Sequence, residues 1–180
     1  MRILEKNTSC IVVDYQEKLV PAMANKEQLL KNSVKLLQGL KILEIPLIIT
    51  GQYTKGLGVS VPQIAQAVGT EECIDKLTFS SYENEEVKKA LLDYGRNHVI
   101  VCGIEAHVCV LQTVIDLRGA GYQPILVTDC ISSRKESDAQ IALLRARQEG
   151  ALLTTSEAIL FELTRKAGTD KFKQISKLVK

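Results

Sequence analysis

Three residues far apart in the chain have types that work together in nucleophilic chemistry: Asp14, Lys76 and Cys109. Cys109 lies in the stretch VIVCGIEAHVCVLQT, Val99 to Thr113. Its apolar start, Val99–Cys102, predicts a strand buried on both faces, and Gly103 breaks the run. From Cys109 onward, Val110, Leu111, Val114, Ile115 and Leu117 recur at helical spacing. A cysteine that opens a helix sits among unpaired N–H groups at the positive end of the macrodipole. That placement predicts a thiol of lowered pKa and raised nucleophilicity. Alone, a cysteine between two valines reads as well as core, because cysteine is among the most buried residue types. The other two residues bear on the choice. A thiolate attacks a carbonyl carbon, a nearby carboxylate moves the proton, and a lysine cation stabilises the charge. N–H groups beside Cys109 would serve the oxyanion.

The elements that must position these residues follow from periodicity. SCIVV, Ser9–Val13, predicts a central parallel strand with Asp14 at its C-terminal end. Leu29, Leu30, Val34, Leu37 and Leu40 form a helical stripe after Asn25 and Gln28, and LIIT, Leu47–Thr50, a second strand. Pro62–Val68 predicts a short helix, and ECIDKLTF, Glu72–Phe79, a third extended segment carrying Lys76. Asn84 caps a helix that Gly95 ends. Val99–Cys102, PILVT (Pro124–Thr128, closing at Asp129) and Ala151–Leu153 supply strands four to six, with helices from Ser137, Thr154 and Lys171. Buried strands alternating with amphipathic helices predict a three-layer α/β/α, Rossmann-like fold around a parallel six-stranded sheet, residues 1–180 forming one domain. In such sheets ligands bind at the carboxyl ends of the strands, near the switch point. If strand one neighbours strand four, Asp14, Lys76 and Cys109 converge there.

Composition narrows the class. A net charge of +2, with lysines and arginines interleaved with acids, gives no footprint for nucleic acid or an anionic membrane. Five cysteines without CxxC or Cys/His ligand spacing predict reduced thiols in a cytoplasmic setting, and no apolar run approaches a membrane span. GQYTKGLGVSV, Gly51–Val61, lacks both the third glycine of a dinucleotide fingerprint and the Lys-Ser/Thr ending of a P-loop.

CIVVDYQ, DKLTFSSY and GIEAHVCVLQT, in this order and spacing, resemble the isochorismatase-like cysteine hydrolases over nearly the whole chain. GQYTKGLG, the SSR at Ser132–Arg134 and TTSEAILFEL are similar to the short isochorismatase domain-containing proteins of that family. The resemblance implies a catalytic triad of Asp14, Lys76 and Cys109, with Cys109 the nucleophile of a thioester acyl-enzyme. It also implies a non-proline cis peptide at Ile104–Glu105 that, with Cys109, serves the oxyanion, and a homo-oligomer. Gln16, Gln52, Tyr53 and Phe79 are candidates for the pocket wall. His107 and Asp129 read as structural. Metal-binding relatives carry Asp-x-His after the second strand, where this chain has Thr50-Gly51-Gln52-Tyr53. No metal and no other cofactor is therefore expected. The substrate expected is a small molecule, hydrolysed at an amide or related C–N bond. The alternatives are a vinyl ether hydrolase of the isochorismatase type, which needs no thiol, and a non-catalytic binding or scaffold protein with a retained pocket.

Overall fold

Strand β1 (Thr8–Val13) is buried along its whole length, as an apolar run without alternation requires when helices cover both sheet faces. The computed structural model describes residues 1–180. After β1 come α1 (Lys26–Ile42), β2 (Leu47–Gln52), α2 (Thr54–Leu57), α3 (Pro62–Val68), β3 (Ile74–Lys76) and α4 (Glu85–Tyr94). The chain continues through β4 (His98–Ile104), a π turn (Ala106–Val110), α5 (Leu111–Gly119) and β5 (Gln123–Ser132). It closes with α6 (Glu136–Gln148), β6 (Leu152–Thr154), α7 (Ser156–Thr164) and α8 (Asp170–Val179). The strands pair in parallel in the order β3-β2-β1-β4-β5-β6. The predicted three-layer α/β/α architecture is therefore the observed one, with the switch point between β1 and β4.

Alternation along the strands divides the core. Cys10 and Val12 of β1 and Ile100, Cys102 and Ile104 of β4 pack with α1, α3, α7 and α8. Ile11 and Val13 of β1 and Val99 and Val101 of β4 pack with α4, α5 and α6. No helix is long and apolar enough to cross a membrane.

The differences from the predicted elements lie mostly at the ends that build the site. β2 runs on to Gln52, and β3 is only three residues long. β5 does not close at Asp129. Its pairing with β4 passes from Val101↔Leu126 to Gly103↔Ile131, so an irregularity carries the strand on to Ser132. Asp129 in that stretch accepts hydrogen bonds from Ser156 N at 2.7 Å and Ser156 Oγ at 2.6 Å, tying β5 to the start of α7. The cap of α7 is Thr155, not Thr154, and Asn25 makes no side-chain cap because its backbone is left-handed. The Asn84 cap and Gly95 stop of α4 are as read.

Candidate active site

Asp14 follows β1 in the left-handed region at φ 52°, a conformation aspartate tolerates better than most side chains. The turn leaves the carboxylate fully buried at the sheet's carboxyl edge. Its Oδ1 accepts from Thr50 Oγ1 at 2.8 Å, and its Oδ2 from Lys76 Nζ at 2.7 Å. Lys76 ends β3, two strands away, with a side chain equally inaccessible. The ammonium has three protons. Four acceptors surround it: Asp14 Oδ2, Gln52 Oε1 at 2.7 Å, Phe79 O at 3.1 Å and Thr78 O at 3.2 Å. A buried ion pair withstands its desolvation cost only with such additional partners.

Cys109 reaches the same edge from β4. Gly103 is obligatory there, because a Cβ at its φ of +133° would lie 2.1 Å from Val13 O on the neighbouring strand. The Ile104–Glu105 peptide is cis. Glu105 O then accepts from Val108 N at 3.1 Å and Val110 N at 3.2 Å, winding the π turn that holds Cys109. Thr113 Oγ1 donates to Cys109 O at 2.7 Å and accepts from Ser81 N at 2.8 Å, fixing the turn to the loop after β3. The sulfur lies 4.0 Å from Gln52 Oε1, and the residue is 6% exposed.

The thiol corrects one expectation. Cys109 is the fourth residue of a five-residue turn rather than the first of a helix, and its pKa is pushed up to about 12. Burial is the largest cause, the negative Asp14 carboxylate the next. The Lys76 cation and a hydrogen bond from the Glu105 backbone act in the opposite direction without cancelling them. Cys109 therefore rests as a thiol with a buried carboxylate at hand as proton acceptor.

Asp14, Lys76, Cys109 and Gln52 come together in one place. Gln52 contributes its oxygen to both Lys76 and Cys109. Gln16, a candidate for the pocket wall, is as fully buried as Asp14 and offers no surface to solvent. Its carboxamide clamps the chain instead, accepting from Gln52 N at 2.8 Å and donating to Gln52 O at 3.0 Å and Gly58 O at 2.7 Å. Phe79 presents its carbonyl to Lys76, and the residue is 53% exposed. Tyr53 is 49% exposed and lies over Gly56, where a Cβ would meet the ring at 2.2 Å. Thr50 and Thr113 were not singled out from the sequence. The only signal for Thr50 was a polar residue ending an apolar strand beside Asp14. No group of three or more His, Cys, Asp or Glu side chains comes together to hold a metal ion.

Comparison with known proteins agrees with this architecture. Residues 8–158 match the isochorismatase domain model. Isochorismatase domain-containing protein 2A of Mus musculus is 37% identical over 183 residues, covering 99% of this chain and 85% of the relative. The structure of MAR1 ribonuclease from Caenorhabditis elegans superposes with a TM-score of 0.92 at 37% identity, covering 99% of this chain and 92% of that one. The YcaC gene product of Escherichia coli shares the fold, with a TM-score of 0.92 at 23% identity, over 99% of this chain and 90% of that one. A domain match over most of the chain, with relatives at this identity over nearly their full length, places it in the isochorismatase-like hydrolase family.

Proposed function

We propose that this hydrolase cleaves an amide or related C–N bond in a small molecule through a thioester on Cys109. The observation that carries the reading is the buried Asp14–Lys76 pair at 2.7 Å facing a thiol that keeps its proton at rest. On attack, the Cys109 sulfur bonds to the substrate carbonyl carbon and its proton passes to Asp14. Collapse of the tetrahedral intermediate breaks the C–N bond, and Asp14 returns the proton to the leaving amine. Water then attacks the thioester, again giving its proton to Asp14. The acid leaves, and the thiol is restored with the proton. Lys76 and Thr50 hold the carboxylate in place, and Gln52 accepts from Lys76. The oxyanion falls to the main-chain N–H groups of the Ile104–Glu105 peptide and Cys109, where losing one such donor typically costs ~2.7–4 kcal/mol of barrier. A homo-oligomer, which rests on the family relationship, and a cytoplasmic setting, which rests on the five free cysteines, are part of the proposal.

A second reading comes from the Caenorhabditis elegans relative, which is named a ribonuclease. The small net charge of +2 and the buried thiol favour the first.

One experiment separates them. A panel of small amides and a set of RNA substrates are incubated with the wild type and with Cys109→Ala, while intact mass is followed. The amide reading expects an acyl adduct on Cys109 and a turnover loss of at least about a thousand-fold in the variant. RNA cleavage that survives Cys109→Ala, with no amide turned over, would overturn it in favour of the second. Binding without turnover of either would leave the protein a scaffold.

A further inference from the structure

The Ser132–Arg134 segment takes no part in the chemistry above, yet Ser133 and Arg134 grip the stretch that leads to Cys109. Ser132 Oγ donates to Ala24 O at 2.7 Å, and Ser133 O accepts from Ala24 N at 3.0 Å, anchoring the segment to the chain before α1. Ser133 Oγ lies 2.9 Å from His107 Nδ1. Arg134 donates twice to one oxygen, Glu105 Oε2, from its backbone N at 3.2 Å and from Nε at 3.0 Å. Glu105 and His107 belong to the stretch that delivers Cys109. Both are held from the end of β5.

Glu105 is where this matters electrostatically. Its side chain is 12% exposed, so its charge is poorly screened, whereas that of Arg134 is 63% exposed and keeps its hydration. The charges that act on the thiol directly are Asp14 after β1 and Lys76 on β3, joined by a hydrogen bond from the Glu105 backbone. Further out, its own connection carries the Glu105 and His107 side chains, and the segment after β5 carries Arg134 and Lys135. The first turn of α6, which packs on the π turn, adds Glu136 and Asp138. An unpaired Glu105 would add an uncompensated negative charge four residues before the sulfur and release the backbone whose hydrogen bond favours the thiolate.

We propose that Arg134 is a positioning residue for Cys109: by pairing with Glu105 it offsets a carboxylate four residues before the sulfur and keeps the Glu105 main chain directed at it. This rests on the reading of Cys109 as nucleophile, but the test needs no substrate, so the two fail separately. Iodoacetamide labelling of each cysteine is followed by peptide mass spectrometry at pH 9 in the wild type, Arg134→Gln, Arg134→Lys and the double variant Glu105→Gln/Arg134→Gln. Arg134→Gln is expected to slow labelling of Cys109 by about 3- to 10-fold, the effect of one uncompensated charge nearby. Labelling of Cys73 should not change. Arg134→Lys restores part of the rate, and the double variant, which removes the stranded carboxylate, returns it to the wild-type value or above. A wild-type rate in Arg134→Gln overturns the proposal. So does a double variant as slow as the single one, which would make the segment a purely structural tie.

Discussion

Buried cysteines occupy both faces of the sheet, and the two sets differ in what faces the sulfur. Cys10, Cys102 and Cys130 belong to the layer under α1, α7 and α8, each with no accessible surface. Cys109 belongs to the opposite layer. Burial pushes the Cys10 and Cys130 thiols well above the ordinary range, just as it raises Cys109. Resting acidity therefore does not distinguish a candidate nucleophile from a core thiol here. Around Cys10 the next influence is the neighbouring Cys102 thiol, and Cys102 in turn reaches a backbone carbonyl, Ile11 O at 3.9 Å. Around Cys109 it is a carboxylate held by a buried lysine, with a narrow opening to solvent. A thiol of high pKa is a competent nucleophile when a base can take its proton during attack. Cys10 and Cys102 have no such base, and the carboxylate beside Cys130, Asp129 Oδ1 at 3.9 Å, is engaged by Ser156 N and Ser156 Oγ at the start of α7.

The sharpest way to break the contrast is to remove the cation that holds the base. Lys76→Met leaves Asp14 buried and short of its main partner. Breaking a buried pair from one side typically costs about 3–5 kcal/mol. Chemical denaturation should show a loss of that size for Lys76→Met, with much of it regained in Asp14→Asn/Lys76→Met. Hydrolysis should return in neither. A loss below about 1 kcal/mol would place the pair in a far better solvated setting than its geometry indicates.

Alkaline pH gives a smaller effect with a definite sign. The folded Cys109 thiol holds its proton to about pH 12, against an ordinary value of 9.0. Between those values the unfolded chain releases a proton that the folded one keeps. The resulting stability is fully present below about pH 9 and is lost as pH rises towards 12. At pH 10, one unit above the ordinary value, the loss from this one group is about 1.4 kcal/mol. Denaturation of the wild type and Cys109→Ala at pH 8 and pH 10 should shift their stability difference by about that amount in favour of the variant. An unchanged difference would mean that the folded thiol ionises freely, and would restore the thiolate first expected for a cysteine at a helix start.

That reversal marks the boundary of what the sequence makes legible. The sheet, its two covered faces and the ends carrying Asp14, Lys76 and Cys109 follow from apolar runs and helical stripes, because one-dimensional periodicity records which face is buried. The α4 cap at Asn84 and its stop at Gly95 are read from residue type alone. Features that depend on spatial neighbours are not read this way. Gln16 looks like a pocket residue in DYQ, yet its role is decided by Gln52 and Gly58, some forty positions away. The π turn arises where Glu105 O receives two N–H groups, which no spacing rule anticipates. The high pKa of Cys109 follows from burial and from Asp14, both consequences of strand order.

The mildest test concerns the core thiols. Cys102 is fully buried against β1, and its sulfur fills space without meeting a charged group. Cys102→Ala removes one heavy atom's worth of packing, a change comparable to deleting a methyl group, so it should cost about 0.5–1.5 kcal/mol by denaturation. Turnover of any amide the wild type accepts, and labelling of Cys109, should stay within about two-fold of the wild type, a barrier change of roughly 0.4 kcal/mol. A much larger loss of turnover at preserved stability would couple the two faces through β4. Cys102 immediately precedes Gly103, whose close approach to Val13 O sets the spacing between the Asp14 and Cys109 ends of the site. The contrast between an inert and a reactive buried thiol would then describe one connected strand end rather than two independent environments.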